Sequence, residues 1–227
     1  MWIGGEGTLY TLVKGSNQFI PQAEGIEGKQ VTTIFGDRAG RVWVGVDNTL
    51  NLFSNGRFSP VTMQDGRPVG FIVSMAEDAK GSLFAITTGP TRTLLSIDAK
   101  TLRASAVLPA LDASKIAGDP REGIWIGTNT GEIQYLSSGK ITGYSITSQP
   151  GTRIAQLTVT PGGEVQAAGD FGLAFLSGGA VHILGAANGL PCSSVNSFLF
   201  DAAGNLWLYM RGSCGITIDP MDALKRE

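Results

Sequence analysis

Two cysteines and one histidine are the residues of this chain whose types most readily do chemistry. Cys192 and Cys214 lie close together in sequence, and a disulfide between them would contribute about 3 kcal/mol of stability in the chain-entropy model. The bond would indicate an oxidising compartment; the alternative is two unrelated buried thiols. His182 could act as a general base only beside a partner that adjusts its pKa. No such partner is evident, so a histidine on a surface strand is the better interpretation.

Asp-x-x-Gly segments begin at Asp37, Asp78 and Asp201, and at Asp119 the glycine stands one residue later, at Gly123; these segments could be mistaken for calcium-binding loops. They lack the alternating oxygen ligands and the closing bidentate glutamate of such loops. The chain also lacks a Cys-x-x-Cys motif and a histidine cluster, which zinc sites commonly use. The sequence therefore predicts no metal and no cofactor, and it assigns these aspartates to tight turns.

A repeat of 41 residues must position any functional group in this chain. The unit reads Asp-x-x-Gly-x-(Leu/Val)-Trp-(Ile/Val)-Gly, and its central position is occupied by Trp2, Trp43, Phe84, Trp125, Gln166 and Trp207. The aspartate can accept bonds from the backbone that follows it, and the first glycine supplies the positive φ of the turn. The tryptophan stands in a strand that is apolar on both faces, so we expect it in the core. We expect the last glycine, such as Gly45, to let the adjacent sheet come close.

A fixed period near 40 residues with one such strand per repeat predicts a β-propeller, an all-β fold. We expect four-stranded antiparallel blades, of which four are complete and two are partial. The two ends do not complement each other, so we expect this chain to be part of a larger, seven-bladed propeller whose missing part lies upstream. Met1 stands inside a repeat, and we interpret it as an artificial or proteolytic start. The expected partial blades are 1–27 and 189–220, the full blades are 28–67, 68–108, 109–149 and 150–188, and 221–227 is an exit segment.

Composition excludes two classes of partner. The net charge is −2 with no basic run, which argues against a nucleic-acid surface. No stretch of the sequence approaches the roughly 18 consecutive apolar residues that a membrane-spanning helix needs. Direct membrane insertion by this segment is therefore not expected.

The repeat resembles that of the two-component regulator propeller family. The resemblance is strongest at residues 37–45, 124–131 and 201–207, and residues 189–218 resemble the final propeller repeat of such proteins. It implies the periplasmic or extracytoplasmic sensor region of a bacterial membrane protein, followed by a β-sandwich, a membrane helix and a histidine kinase or other output module. This segment would then be non-enzymatic, with the rest of its own propeller and the downstream signalling domains as partners, and it could form a homodimer.

Ligand-binding residues are expected where the repeat is least regular. In propellers, the loops between blades and those joining second and third strands gather on one face. Mixed aromatic and charged side chains there could bind a small polar ligand such as an oligosaccharide; the alternative is that they are ordinary solvated loop residues. The candidates are Phe71, Arg92, Asn129, Arg153, Asp170, Phe171 and Arg211.

Three functions therefore remain open. The first is a ligand-sensing module whose occupancy biases a downstream kinase. The second is a propeller enzyme, because streptogramin lyase has similar repeats; that chemistry uses a histidine base with a metal, and this chain offers only His182 and no evident acidic cluster. The third is a scaffold in which the propeller mediates dimerisation. Fold alone does not separate them.

Overall fold

The computed structural model describes residues 1–5, 8–13, 15, 19–21, 30–55, 57–88, 92–146 and 151–210. Within these residues the chain forms 21 strands and one short 3-10 helix, Ala186–Asn188. It divides into two compact units, residues 1–111 and 112–227. The prediction of an all-β propeller built from four-stranded antiparallel blades is confirmed.

The first unit contains a three-stranded sheet and two four-stranded blades, and each strand pairs antiparallel with the next one in its blade. The three-stranded sheet comprises β1 (Trp2–Gly5), β2 (Thr8–Leu12) and β3 (Phe19–Pro21). The next blade comprises β4 (Val31–Gly36), β5 (Val42–Val46), β6 (Thr49–Ser54) and β7 (Arg57–Met63). The third comprises β8 (Phe71–Glu77), β9 (Leu83–Thr88), β10 (Thr93–Asp98) and β11 (Arg103–Leu108).

The outer strands of two neighbouring blades in the first unit also pair with each other, which the repeat did not predict. β7 and β11 run parallel over two residue pairs and join their blades into one eight-stranded sheet. The Thr62 amide donates to the Leu102 carbonyl over 3.1 Å. Arg103 Nη1 donates to Thr62 Oγ1 over 2.6 Å. This contact satisfies polar groups that the two strand edges would otherwise expose.

The second unit contains two four-stranded blades and a strand pair, again with antiparallel neighbours. The first blade comprises β12 (Ala113–Gly118), β13 (Ile124–Thr128), β14 (Glu132–Ser137) and β15 (Lys140–Ser145). The second comprises β16 (Ile154–Val159), β17 (Val165–Gly169), β18 (Gly172–Ser177) and β19 (Ala180–Leu184). The strand pair is β20 (Val195–Phe200) with β21 (Leu206–Met210).

β20 and β21 are the last strands among the described residues. The expected third strand of their blade, the exit segment 221–227, Arg211 and Cys214 all lie outside the described residues. Cys192 is half-buried and packs against an apolar cluster that includes Leu190 and Val195. The Cys192–Cys214 disulfide therefore stays a prediction.

The disulfide can be tested by intact mass. We expect reduction of the denatured protein to add the mass of two hydrogens and to lower the free energy of unfolding, because the cross-link restricts the unfolded chain. Cys214→Ser should abolish the mass difference. An identical mass with and without reductant would remove the disulfide from the description of this blade.

Trp43 and Trp125 build the apolar cores between blades, as the sequence predicts. Trp43 is fully buried, in one cluster with Ile72 and Met75 of the next blade. Trp125 is 6% exposed and clusters with Ile154 and Leu157 of β16. Burial of an aromatic side chain on this scale is a main source of core stability.

Trp43, Trp125 and Trp207 are each tied to the aspartate six residues before them. Trp43 Nε1 donates to Asp37 Oδ2 over 2.8 Å, and Trp125 Nε1 donates to Asp119 Oδ2 over the same distance. The other carboxylate oxygen accepts backbone amides of the turn, such as that of Arg41 at 2.9 Å. The repeated aspartate therefore joins the turn to the core, whereas the sequence predicted only its role in the turn.

A bulge recurs at the same point in the first strand of five blades. Each register shift skips one residue, at Thr32, Val73, Ser114, Ala155 and Asn196. In the fourth repeat the buried Ser114 hydroxyl bonds to the Ile154 carbonyl of the next blade over 2.8 Å. The varied residue types at this position explain why the sequence did not reveal the bulge.

The glycine two residues after the anchor has different neighbours in different blades. A Cβ on Gly127 would lie 2.8 Å from Ile154 Cγ2 of the next blade, as predicted for this position. At Gly45 the prediction is wrong, because an added Cβ would meet Thr32 and Thr33 of the same blade. The bulge at Thr32 brings these side chains against the glycine.

Candidate functional site

Each blade has two edges at which its strands end. We call one the connector edge: first strands begin there, second strands end, and the hairpins between second and third strands lie beside the links between blades. We call the other the turn edge, because it carries the Asp-x-x-Gly turns and the hairpins between third and fourth strands. The register of β12 to β15 shows both, with Ala113 opposite Thr128 at the connector edge and Gly118 opposite Ile124 at the turn edge.

The described ligand-binding candidates all lie at connector edges. In the first unit, Phe71 begins β8 and is paired with Thr88 at the end of β9. Arg92 precedes β10, and its carbonyl accepts the Leu111 amide at 2.9 Å. In the second unit, Asn129 Nδ2 donates to Asp112 Oδ1 over 2.7 Å.

Three further candidates surround one hairpin of the second unit. An added Cβ on Gly169 would lie 2.5 Å from the Arg153 carbonyl and 2.6 Å from a ring carbon of Phe171. Asp170 Oδ1 accepts a bond from the Ser194 hydroxyl over 3.0 Å, which links this hairpin to the start of the following blade. The structure thus brings Arg153, Asp170 and Phe171 close together, and their role as ligand-binding residues stays a prediction.

A cavity of about 490 Å³ lies at the opposite, turn edge of the second unit. It is formed between the blade β12–β15 and the blade β16–β19. Its volume falls within the roughly 300–1,000 Å³ of small-molecule pockets. None of the six ligand-binding candidates that the structure describes lines it. The lining residues are Arg121, Trp125, Tyr135, Tyr144, Thr160, Gly162, Gly163, Glu164, Leu176, Ser177, Gly178 and Gly179.

The irregular fifth repeat supplies one wall of this cavity. Thr160 replaces the turn aspartate, and its hydroxyl accepts the Glu164 amide over 3.1 Å. Gln166 replaces the tryptophan, and its Nε2 donates to Glu164 Oε1 over 2.8 Å. The Asp–Trp bond of the second, fourth and sixth repeats is thereby exchanged for a Gln–Glu bond that fixes a carboxylate beside the cavity.

The two blades come close together at Gly163, which has no side chain. Its φ is +85°, and an added Cβ would lie 2.9 Å from Arg121 Nη2 of the neighbouring blade. A side chain at this position would therefore displace the guanidinium as well as strain the turn.

Three aromatic rings of the blade β12–β15 form another wall. The ring centroids of Trp125 and Tyr135 are 4.5 Å apart with an interplanar angle of 33°, and those of Trp125 and Tyr144 are 5.7 Å apart. The Tyr135 hydroxyl donates to the Glu122 carbonyl, and the Trp125 indole N–H donates to Asp119. These bonds hold the rings in place, so the wall is preorganised.

The charge of Arg121 is balanced within the site. Its Nε and Nη2 donate to the two carboxylate oxygens of Asp119, each over 3.1 Å, while its side chain is 70% exposed. Burial alone would raise the pKa of Asp119, but bonds from Arg121 and Trp125 outweigh it and lower that pKa below its usual value. Burial would also raise the pKa of Asp37, but hydrogen bonds from Trp43 and Arg41 outweigh it and lower that pKa below its usual value.

This arrangement predicts a loss of stability in acid. At Asp201 the bonds from Trp207 and Asn205 lower the pKa to about 2. A carboxyl group with a depressed pKa in the folded state stabilises the fold above its unfolded pKa of about 3.9, and this contribution is lost as pH falls through the folded value. We therefore expect the Tm to fall between about pH 4 and pH 2. Thermal unfolding followed by circular dichroism across this range measures it, and a constant Tm would contradict the prediction.

The described residues give less support to histidine catalysis, metal binding or a membrane span. His182 is exposed on β19, opposite Phe175 of β18, and does not line the cavity. Among the described residues, no group of three or more His, Cys, Asp or Glu side chains is placed to hold a metal ion. The part of the chain that the structure describes also contains no helix with the length and hydropathy of a membrane span.

The fifth repeat carries a signal for the cavity in the sequence. Function was expected where the repeat fails, and the fifth repeat is the one that lost both its aspartate and its aromatic residue. The predicted ligand-binding residues nevertheless lie in connector-edge loops. Because the aromatic wall comes from the regular fourth repeat, sequence alone did not show that Tyr135 and Tyr144 face the irregular turn.

Known structures share the fold of this chain at low sequence identity. Virginiamycin B lyase from Staphylococcus aureus aligns with a TM-score of 0.73 and 13% identity, over 92% of this chain and 73% of the lyase. A catalytically inactive histidine-to-alanine variant of that lyase with quinupristin aligns with a TM-score of 0.70 and 13% identity, over 90% and 71% of the two chains.

The extracellular domain of a putative hybrid two-component system from B. thetaiotaomicron is similar as well. It aligns with a TM-score of 0.69 and 15% identity, over 91% of this chain and 30% of that domain. No protein-family model matches the chain, and no curated protein sequence matches it. At these identities the structural likeness shows a shared propeller fold, found both in a lyase and in the extracellular domain of a putative two-component system.

Proposed function

We propose that this chain is a non-enzymatic, ligand-binding module of an extracytoplasmic sensor in a two-component signalling protein. It recognises a solute such as an oligosaccharide and passes the binding event to a kinase or other output domain. The observation that carries this proposal is the preorganised cavity between β12–β15 and β16–β19, where aromatic rings, a fixed carboxylate and glycine-rich backbone converge. Similarity to the extracellular domain of a hybrid two-component system supports it.

The surroundings of Trp207 support a larger parent propeller, which we propose has seven blades. Trp207 keeps the bond from its indole N–H to Asp201, at 3.0 Å, yet it is 37% exposed. Its equivalents Trp43 and Trp125 are covered by the blade that follows each of them. A further blade of the same protein would cover Trp207 in the same way.

We also propose that this module lies in the periplasm or at the cell exterior.

Ligand binding would act on the output domain through the arrangement of blades. A ligand in the cavity touches two blades at once, so it stabilises the arrangement in which both walls are in contact with it. The ligand shifts the equilibrium between two blade arrangements only to the extent that its affinities for these arrangements differ. The downstream domains would contact the blades whose arrangement the ligand fixes. Ligand binding would thereby be coupled to the state of the kinase.

A thermal-shift screen of the 227-residue chain against glycans and small metabolites tests the proposal. A ligand at 100 times its Kd should stabilise the folded state by about 2.7 kcal/mol and raise the Tm. The absence of any shift at millimolar concentrations, together with a stable ligand-free dimer in sedimentation analysis, would favour the dimerisation scaffold instead.

A lyase is the second candidate, and the observation that favours it is the similarity to virginiamycin B lyase over 92% of this chain. The exposed His182 is the only histidine in the sequence. Turnover of a streptogramin by this chain, abolished in His182→Ala, would replace the sensor proposal with the lyase.

A further inference from the structure

We infer that Lys115 and Arg153 form an anion-binding site at the connector edge of the second unit, between the blade β12–β15 and the blade β16–β19. The site takes an oxyanion, the carboxylate or phosphate group of a small acidic solute. Lys115 lies in β12, and Arg153 immediately precedes β16. The sequence predicted Arg153 as a ligand-binding residue but did not predict Lys115. The turn-edge cavity lies at the opposite edge, so anion binding here goes beyond the proposed function and does not depend on it.

Strand register places the Lys115 side chain on the face of its blade that packs against β16. Lys115 pairs with Gly127, and two residues further along β12, Ala117 pairs with Trp125. Side chains two residues apart in a strand lie on the same face. On this face Trp125 clusters with Ile154, which lies in β16. The lysine side chain therefore extends from β12 toward the blade β16–β19.

Two contacts of Ile154 bring the start of β16 beside Lys115. The hydroxyl of Ser114, the residue before Lys115, donates to the Ile154 carbonyl over 2.8 Å. A Cβ on Gly127, the strand partner of Lys115, would lie 2.8 Å from Ile154 Cγ2. Arg153 is the residue before Ile154. The two cationic side chains therefore originate at the junction of the same two strands, and Gly127 places no side chain between them.

No counter-ion balances this pair of cations. Within the described residues, the side chains of Lys115 and Arg153 form no hydrogen bond and no ion pair. The carboxylates of Asp112 and Asp170 lie at the same edges, but they accept bonds from a carboxamide and a hydroxyl group. Burial lowers the pKa of Lys115, and the charge of Arg153 lowers it further. A bound oxyanion would stabilise the charged form that both effects oppose.

The next repeat shows what a neutral side chain does at the position of Lys115. Gln156 lies 41 residues later in β16. Its Oε1 accepts the Phe198 amide over 2.7 Å, and its Nε2 donates to the Phe198 carbonyl over 3.0 Å. This glutamine thus binds the first strand of the following blade, whereas a lysine has no acceptor for a backbone amide. The contact between blades therefore does not account for a lysine at this position, and an anionic ligand does.

The two side chains have complementary properties as ligands for an oxyanion. Lysine offers a compact charge with three donors, and arginine offers a planar fork that matches the geometry of a carboxylate or a phosphate. Arg153 is exposed and Lys115 is partly buried. A solute can therefore approach Arg153 from solvent and extend its charged group toward Lys115, where partial desolvation strengthens the attraction. A neutral solute would gain none of this interaction.

Isothermal titration calorimetry on the whole chain tests the site with two sets of anions. Succinate, citrate and glucuronate form the carboxylate set, and inorganic phosphate and glucose 6-phosphate form the phosphate set. We expect at least one of these anions to bind and its affinity to fall as the NaCl concentration rises, because salt screens the attraction. Methyl glucoside is the neutral probe, and we expect it to bind at least tenfold more weakly than the best anion. The tighter set identifies the oxyanion.

Two charge-removing variants locate the site. We expect Lys115→Gln and Arg153→Gln each to weaken anion binding at least tenfold. The Tm of Lys115→Gln should be no lower than that of the wild type, because a partly desolvated charge is removed and the glutamine can form bonds like those of Gln156. Lys140→Gln is the matched control. It makes the same change of charge at an exposed residue of the same blade, at the turn edge, and should leave the affinity unchanged.

Several outcomes would overturn the anion site. These are the absence of binding by every anion at millimolar concentrations, an affinity unchanged in both Lys115→Gln and Arg153→Gln, and an equal loss in Lys140→Gln, which would indicate only general attraction by the chain. Each of them leaves the sensor proposal standing. A thermal-shift ligand that is neutral and binds equally well to Lys115→Gln would support the sensor without this site. Anion binding with no coupling to an output domain would support this site without the sensor.

Discussion

Replacement of Asp119 by alanine is expected to lower the free energy of unfolding of the second unit by about 3 kcal/mol, because buried donors lose their acceptor. The carboxylate is fully buried and accepts bonds from the Trp125 indole, the Arg121 guanidinium and the Arg121 amide. Trp125 is only 6% exposed, so water does not replace the lost acceptor of its indole N–H. Urea unfolding followed by tryptophan fluorescence and circular dichroism measures the change.

Asp201→Ala is the matched control for Asp119→Ala. Asp201 makes the same bond to Trp207, over 3.0 Å, but this tryptophan is 37% exposed and can bond to water instead. We therefore expect a smaller loss of stability than for Asp119→Ala. Equal losses would show that the aspartate acts mainly through the turn, whose backbone bonds are alike in the two repeats.

Replacement of Gly172 by alanine is expected to have a similarly large effect, a loss of about 3 kcal/mol or more in the free energy of unfolding from strain at a special φ together with overpacking. Gly172 has a φ of +104°, and an added Cβ would lie 2.1 Å from the Leu184 carbonyl oxygen. That oxygen belongs to the end of β19, which pairs with β18, so it cannot move away without breaking the pairing. Urea unfolding and the yield of soluble protein would both report the loss.

Gly139→Ala separates the backbone strain from the overlap. Gly139 also has a positive φ, +76°, but an added Cβ would have no heavy atom within 4 Å. Alanine there should cost only about 1 kcal/mol, the cost of its unfavourable φ. If both variants lose the same amount, the overlap with Leu184 contributes nothing and the close packing of β18 against β19 is more adaptable than the distances indicate.

The repeat shows how far sequence reasoning reaches in this fold. The period, the turn aspartates and the apolar strands predicted the blades, because these features depend on neighbours within a few residues. The recurrent bulge was not predictable, since its position holds threonine, valine, serine, alanine and asparagine in different repeats. The pairing of β7 with β11 was equally hidden, because it depends on how two blades approach each other.

The candidate site was also predictable from the sequence only in part. The loss of aspartate and tryptophan from the fifth repeat marked residues 160–166 as unusual, and the structure places that turn at a cavity. Sequence gave no reason to join this turn to Tyr135 and Tyr144, which belong to the preceding, regular repeat. Their proximity results from the packing of one blade on the next, and it moved the candidate site to the turn edge.

The architecture follows from the repeat alone: a 41-residue unit in which aspartate closes a turn, glycine permits it and tryptophan fills a core. The burial of each copy of that unit depends instead on the packing of neighbouring blades. Trp43, Trp125 and Trp207 share the same local motif and the same bond to aspartate, yet their exposure runs from 0% through 6% to 37%. The physical reason is that a motif sets hydrogen bonds over six residues, whereas burial depends on whether another blade packs against it.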